Sequence, residues 1–161
     1  MTNIVLVNPP LTGEERYGPL AAGGVYMPPL GLASLAAFIR QQGYSVKIID
    51  CPALNLTLAD SVKSIISYDP EYVGITAATV SISKAAALAK ILKEQRPNLK
   101  IIVGGSHLSA LPEETMRLFP QLDIGIIGEG EVTITELLRT SDEKSYLYNI
   151  KGIIFREDGR L

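Results

Sequence analysis

Short continuous apolar runs alternate along this chain with stretches in which apolar residues recur every three or four positions. Runs of the first kind, bounded by turn signals, read as buried strands; the second spacing reads as one face of a helix. Ile4-Val5-Leu6-Val7 is the first strand, stopped by Asn8-Pro9-Pro10. A helix follows from Leu30 to Gln42, with Leu32, Leu35, Ala36 and Ile39 on one face and Gly43 as its stop. Val46-Lys47-Ile48-Ile49 is the second strand, and Leu58–Ser67 a helix burying Val62, Ile65 and Ile66. Tyr72–Thr76 and the helix Ser81–Gln95 come next, then the strand Lys100–Val103. Leu111-Pro112-Glu113-Glu114 opens a helix to Leu118, with proline and two carboxylates where a helix start favours them. Asp123–Ile127 is the fifth strand and Val132–Arg139 the fifth helix.

Strict alternation of strand and helix with short connections implies a parallel sheet covered on both faces. With right-handed crossovers the expected fold is α/β, a doubly wound five-stranded parallel sheet of flavodoxin or Rossmann type, order 2-1-3-4-5. In that layout the loops after strands 1, 3, 4 and 5 border one crevice. They carry Pro9-Pro10, Thr76 to Thr79, Gly104 to His107, and Gly128 to Glu131. Residues 11–28 form a long loop rich in glycine and proline, a length usually functional or disordered. It is read either as a lid that orders with ligand or as part of an interface with another domain.

The tail breaks the alternation. Ser141–Lys144 is polar, Gly152-Ile153-Ile154-Phe155-Arg156 is strand-like, and Asp158-Gly159 is a turn signal asking for a returning strand. Residues 1–140 are therefore expected to form a binding domain. Residues 141–161 are expected to be a linker strand and the start of a hairpin leading into a further domain.

Composition changes this picture little. The 161 residues are 47% hydrophobic and 20% charged, with a net charge of −2, which gives no footprint for nucleic acid or an anionic membrane. No apolar stretch approaches a membrane span. The one cysteine, Cys51, excludes an intrachain disulfide and points to the cytoplasm.

Common chemistry motifs are missing. There is no G-x-x-x-x-G-K-[ST] phosphate loop, no G-x-G-x-x-G after the first strand, and no cysteine–histidine set for zinc. A phosphoacceptor of this topology wants an aspartate where Thr76 stands, and Gly104-Gly105-Ser106-His107-Leu108 only partly echoes a hydrolase elbow. What remains is a pair of ligand-type loops on consecutive strands: Val103-Gly104-Gly105-Ser106-His107, with the chain's only histidine, and Gly128-Glu129-Gly130-Glu131. Both favour a binding module.

Five segments occur here in the order found in one known group: Pro29-Leu30-Gly31-Leu32, Val73-Gly74-Ile75-Thr76, Val103–His107, Leu111-Pro112-Glu113-Glu114 and Gly128–Glu131. The chain thus resembles the N-terminal cobalamin-binding domain of cobalamin-dependent radical S-adenosylmethionine enzymes over nearly its whole length. Ile150–Arg156 with Asp158-Gly159 is similar to that family's linker into the radical domain. The resemblance implies cobalamin as cofactor, its corrin across the carboxyl edge of the sheet and its nucleotide tail between sheet and helices. Gly104 and Gly105 would pass the tail close to the backbone, and Thr76 and Thr79 would offer hydroxyls beside Ala77. His107 would meet backbone or a tail phosphate. Gly128, Glu129, Gly130 and Glu131 would flank the tail or the corrin edge, and the loop with Pro9, Pro10 and Leu11 would cover a corrin face.

S-adenosylmethionine and a four-iron four-sulfur cluster would belong to a downstream radical domain, because the C-x-x-x-C-x-x-C cysteines are not in these residues. This chain would bind cofactor without catalysing, in the service of methyl transfer or related radical chemistry. Many cobalamin domains place a cobalt-ligating histidine in D-x-H-x-x-G after the second strand. Here that stretch reads Asp50-Cys51-Pro52-Ala53-Leu54-Asn55, which implies cobalamin bound without its own base or a protein histidine. Cys51 is read as a buried thiol in preference to a replacement ligand.

Plainer readings stand beside these. Gly104-Gly105 also fits tight strand–helix packing, Glu129 and Glu131 also fit caps of the fifth helix, and Thr76 and Thr79 also fit strand-end backbone partners. Two other functions suit the same crevice: the nucleotide-sugar or small-molecule half of a transferase, and a scaffold domain without cofactor.

Overall fold

The apolar runs become a parallel sheet whose strands are buried on both faces. The computed structural model describes residues 3–24, 27–139, 144–157 and 161. Strands β1 (Asn3–Asn8), β2 (Ser45–Asp50), β3 (Tyr72–Thr76), β4 (Lys100–Gly104), β5 (Ile124–Ile126) and β6 (Ile153–Phe155) form one sheet in the order 2-1-3-4-5-6. The first five are parallel, as the alternation of strand and helix requires, and β6 runs antiparallel to β5. The expected order 2-1-3-4-5 is present. The strand-like tail does not leave the sheet but extends it, pairing Ile124 with Phe155 and Ile126 with Ile153. The Asp158-Gly159 turn signal lies outside the described residues.

Among the described residues, seven α-helices surround the sheet: α1 (Gly13–Tyr17), α2 (Leu30–Gln41), α3 (Leu58–Ile66), α4 (Ile82–Gln95), α5 (Ser106–Ala110), α6 (Pro112–Leu118) and α7 (Glu131–Arg139). Two cores result, one on each face. Val5, Val7, Val73, Ile75, Ile101 and Val103 pack with Val62 and Ile65 of α3 and with Leu88 and Leu92 of α4. Ile4, Leu6, Ile102, Ile124 and Ile126 pack with Leu32, Ala36 and Ile39 of α2 and with Ile134, Leu137 and Leu138 of α7. Alternate strand residues feed opposite cores, the two-residue period of a pleated strand. Burying each such side chain stabilises the fold by roughly 1.5–3 kcal/mol.

Two segments read as loops hold short helices. Residues 11–28 contain α1 and a 3-10 turn over Gly18–Gly23. Helix α1 is started by a capping box: the Glu15 amide donates to Thr12 Oγ1 (3.1 Å) and the Thr12 amide donates to Glu15 Oε2 (2.9 Å). Glu15 also pairs with Lys84 of α4 at 2.5 Å, tying this excursion to the body of the domain. The glycine–histidine run after β4 turns at once into α5. No described helix is long and apolar enough to cross a membrane.

Candidate functional site

Helices α2 and α7 lie on the same face of the sheet, and a cleft of about 170 Å³ lies between them and the sheet's carboxyl edge. Its floor is two rows of the sheet. Leu6, Gly74 and Ile102 lie in register one row down, and Thr76 and Gly104 sit at the rim. Gly31, Leu32 and Leu35 of α2 and Ile134 of α7 make the walls. The mouth is formed by Gly105 and by the β5–α7 loop, Gly128, Glu129, Gly130 and Glu131. The described lining contains no lysine, arginine or histidine.

The glycines of this cleft have different physical causes. At Gly105, φ is +103°, and a Cβ would lie 2.7 Å from the Ala77 carbonyl oxygen and 3.1 Å from Thr76 Oγ1. The left-handed backbone and the close approach of the β3–α4 loop both exclude a side chain there. At Gly74 a Cβ would strike Leu6 Cδ2 at 2.8 Å. Gly104 is another matter: its Cβ would meet nothing nearer than 3.9 Å, and that of Gly31 nothing within 4 Å. Internal packing accounts for the bareness of Gly74 and Gly105 but not for that of Gly104 and Gly31. A glycine inside a helix or strand costs roughly 0.5–1 kcal/mol relative to alanine. Two such residues lining one cleft keep open a space that side chains would fill, which fits a bulky ligand lying against the backbone.

Among the thirteen residues singled out from sequence, seven come together here: Thr76, Gly104, Gly105, Gly128, Glu129, Gly130 and Glu131. Glu131 is in the first turn of α7, yet its carboxylate reaches across to α2, where Ser34 Oγ donates to Oε1 at 3.0 Å. It joins the two helices beside the cleft. The Gly128 amide donates to Ser109 Oγ (2.9 Å), which fixes the start of the loop against α5.

The other six stand elsewhere. His107 Nδ1 meets Thr79 Oγ1 at 3.1 Å, a pair outside the cleft lining, and the His107 amide donates to the Ala77 carbonyl. Ala77 is buried, its own amide bound to the Gly104 carbonyl, so it sets the loop's path. Pro9, Pro10 and Leu11 are buried in the fold and do not line the cleft.

Cys51 is fully buried in the core with α3 and α4, on the sheet face opposite the cleft. Desolvation pushes its thiol above the ordinary value, the Asp50 charge adds to this, and a hydrogen bond with Ser61 opposes it. Beside it Pro52 is buried as well. Among the described residues, no group of three or more histidine, cysteine or acidic side chains is arranged to hold a metal.

Sequence reasoning misses the helical wall. Gly31, Leu32, Leu35 and Ile134 read as parts of a recurring segment or of a helix face, and the apolar spacing that marks a buried face also marks a ligand wall. The signal is Gly31, a glycine inside the first turn of a helix without a turn to make. Outside the cleft, large apolar side chains are exposed in the segments leading from the strands' carboxyl ends: Leu20, Met27, Leu30, Leu54, Val80 and Val132.

Comparison with known proteins gives a consistent result. The family model described as B12 binding domain matches residues 19–138. An uncharacterized methyltransferase of Pyrococcus horikoshii is 39% identical over 158 residues, 98% of this chain and 33% of the relative. The anaerobic magnesium-protoporphyrin IX monomethyl ester cyclase of Synechocystis is 28% identical over 160 residues, 98% of this chain and 31% of the cyclase. This chain thus spans about a third of the length of these curated relatives. Among solved structures, the cobalamin-dependent S-adenosylmethionine radical enzyme OxsB, with aqua-cobalamin and S-adenosylmethionine bound, matches with a TM-score of 0.77 at 20% identity. The match covers 100% of this chain and 21% of OxsB, and it shows the same fold.

Proposed function

The chain belongs to the B12-binding domain family, and we propose that it holds cobalamin at the carboxyl edge of its sheet for a radical S-adenosylmethionine enzyme. The observation that carries this reading is the open floor and wall at Gly104 and Gly31, bare where the fold itself asks for no glycine. Leu6, Leu32, Leu35, Ile102, Ile126 and Ile134 would hold the nucleotide tail between α2 and α7 and shield it from water. Thr76 would offer a hydroxyl at the rim, and Glu129 and Glu131 would accept hydrogen bonds from tail hydroxyls or side-chain amides. Exposed apolar side chains on the segments that follow the strands, such as Leu30 and Val80, would pack against the corrin, giving a mainly hydrophobic site with a few placed polar groups. Bound cobalamin supplies a cobalt centre suited to methyl transfer or related radical chemistry, with electronics tuned by its axial ligands.

We read the cofactor as bound base-off, without a protein histidine on cobalt. Support comes from His107, the chain's one histidine, being engaged with Thr79 outside the cleft lining, and from Cys51 lying buried under the opposite face. S-adenosylmethionine, the iron–sulfur cluster and the reaction itself are assigned to a downstream domain of the full-length protein. The names of the relatives, a methyltransferase and a cyclase, support that division. A phosphate-led ligand such as a nucleotide sugar finds no cation in the described lining, and a cofactor-free scaffold is expected to fill the cleft with its own side chains. Neither alternative has an observation in its favour.

Hydroxocobalamin titrated into the folded chain should give saturable one-to-one binding by absorbance change and calorimetry. Failure to saturate overturns the proposal. His107→Ala should leave the bound cobalt spectrum unchanged; an altered ligand-field signature overturns the axial assignment.

A further inference from the structure

The cleft is unusually poor in partners for a polar ligand. Of the described side chains that line it, only Thr76, Glu129 and Glu131 can hydrogen-bond, and all three belong to the rim or the mouth. The row below is Leu6, Gly74 and Ile102, and the walls beside it are Leu32, Leu35 and Ile134. Any polar edge group driven into that depth loses water and meets hydrocarbon.

We propose that this cleft selects among cobamides by the base that ends the tail, taking a benzimidazole in preference to a purine. The inference rests on the cobalamin reading above and adds to it the class of ligand accepted. A benzimidazole has a hydrocarbon edge and one accessible ring nitrogen. A purine such as adenine carries an exocyclic amine and several ring nitrogens around its rim. Glu129 and Glu131 can accept from an amine near the mouth, but ring nitrogens require donors, and the deep side chains supply none. One buried polar group without a partner weakens binding about five- to 150-fold. The charge of the cleft points the same way: no cationic side chain in the described lining draws a phosphate toward its depth, which is left to the base at the end of the tail.

Three ligands decide the matter by calorimetry on the folded chain: dimethylbenzimidazolyl cobamide, adeninyl cobamide, and cobinamide, which has no nucleotide tail. The benzimidazolyl form should bind at least about tenfold more tightly than the adeninyl form, with cobinamide weaker than the benzimidazolyl form. Equal affinity for the two tailed cobamides overturns the selection while leaving cobalamin binding intact. Cobinamide binding as tightly as the benzimidazolyl form overturns the placement of the tail in the cleft. No binding by any of the three overturns the cobalamin reading itself.

A half-buried wall residue provides a second measure. Leu35→Gln brings an amide donor and acceptor to the slot and should shrink the preference. A ratio unchanged from the parent chain shows that the wall is not its source and overturns the proposal.

Discussion

Adjacent glycines at the end of β4 should respond in opposite ways to the same substitution. At Gly104 a methyl group meets the Ile126 carbonyl oxygen at 3.9 Å and Ile126 Cβ at 4.0 Å, ordinary contacts, so Gly104→Ala leaves the fold intact. Removing a strand glycine even adds up to about 0.5–1 kcal/mol of stability. Larger side chains occupy the cleft of about 170 Å³, so Gly104→Leu should weaken hydroxocobalamin binding by the cost of overpacking. That cost is about 1–3 kcal/mol, or five- to 150-fold in affinity. At Gly105 the same added methyl group lies 2.7 Å from the Ala77 carbonyl oxygen on a backbone with φ of +103°. Gly105→Ala should cost at least about 1–3 kcal/mol of folding stability. For a chain of this length, roughly 2–4 °C of melting temperature corresponds to each kcal/mol. Thermal melts and calorimetric titration of the three variants are the assay. Unchanged affinity in Gly104→Leu refutes the cleft as the binding site, and an unshifted melt in Gly105→Ala refutes the strain argument.

Other perturbations separate fold from site in the same way. Lys93 Nζ bonds both oxygens of Asp123 at 3.0 Å, and Asp123 Oδ2 accepts from the Ile101 amide at 2.7 Å, all at the amino end of the strands. Asp123→Ala should therefore lower stability by about 1–3 kcal/mol in a denaturant titration without changing cobalamin affinity. Native Cys51 should resist thiol reagents at pH 8 and react on unfolding, because burial holds its thiol protonated above the usual range; rapid native labelling contradicts the buried assignment. The Lys84 ammonium and the Thr12 amide hold Glu15 below its ordinary value of 4.5, so its contribution is complete above that pH and is lost as pH falls through the lower folded value. With both side chains partly exposed, the effect is small, and Lys84→Met should reduce this acid-range loosening of α1 as seen by hydrogen exchange, leaving the part held by the Thr12 amide.

The fold was legible where one rule governs one element. β-branched runs such as Ile101-Ile102-Val103 specify strands buried on both faces, and their alternation with amphipathic helices leaves few topologies. Legibility ended at β6. Ile153-Ile154-Phe155 reads as a strand, but whether it joins this sheet depends on an open edge at β5, and no local pattern encodes that edge. The Ile154 side chain packs above Gly125, where a Cβ would meet it at 2.8 Å, so a small residue in β5 makes room for its neighbour. Likewise α1 follows from Thr12 and Glu15 at capping-box spacing, a signal obscured by the glycines and prolines around it.

For the site, sequence placed the loops but could not divide their labour. Gly104-Gly105 looks like one motif, yet Gly105 answers to Ala77 of a neighbouring loop and Gly104 to open space. That distinction exists only once β3 and β4 are in register. His107 drew attention as the lone imidazole and lies against Thr79, while the anonymous Gly31, Leu35 and Ile134 form the wall. A ligand that is mostly hydrocarbon at its buried end leaves no chemical signature in the residues that hold it, because they are the same residues that build a core. The only trace is negative: glycines where neither turn nor packing calls for them. Gly31 and Gly104 are such residues, and their bareness turns an ordinary doubly wound sheet into an argument for a bound cofactor.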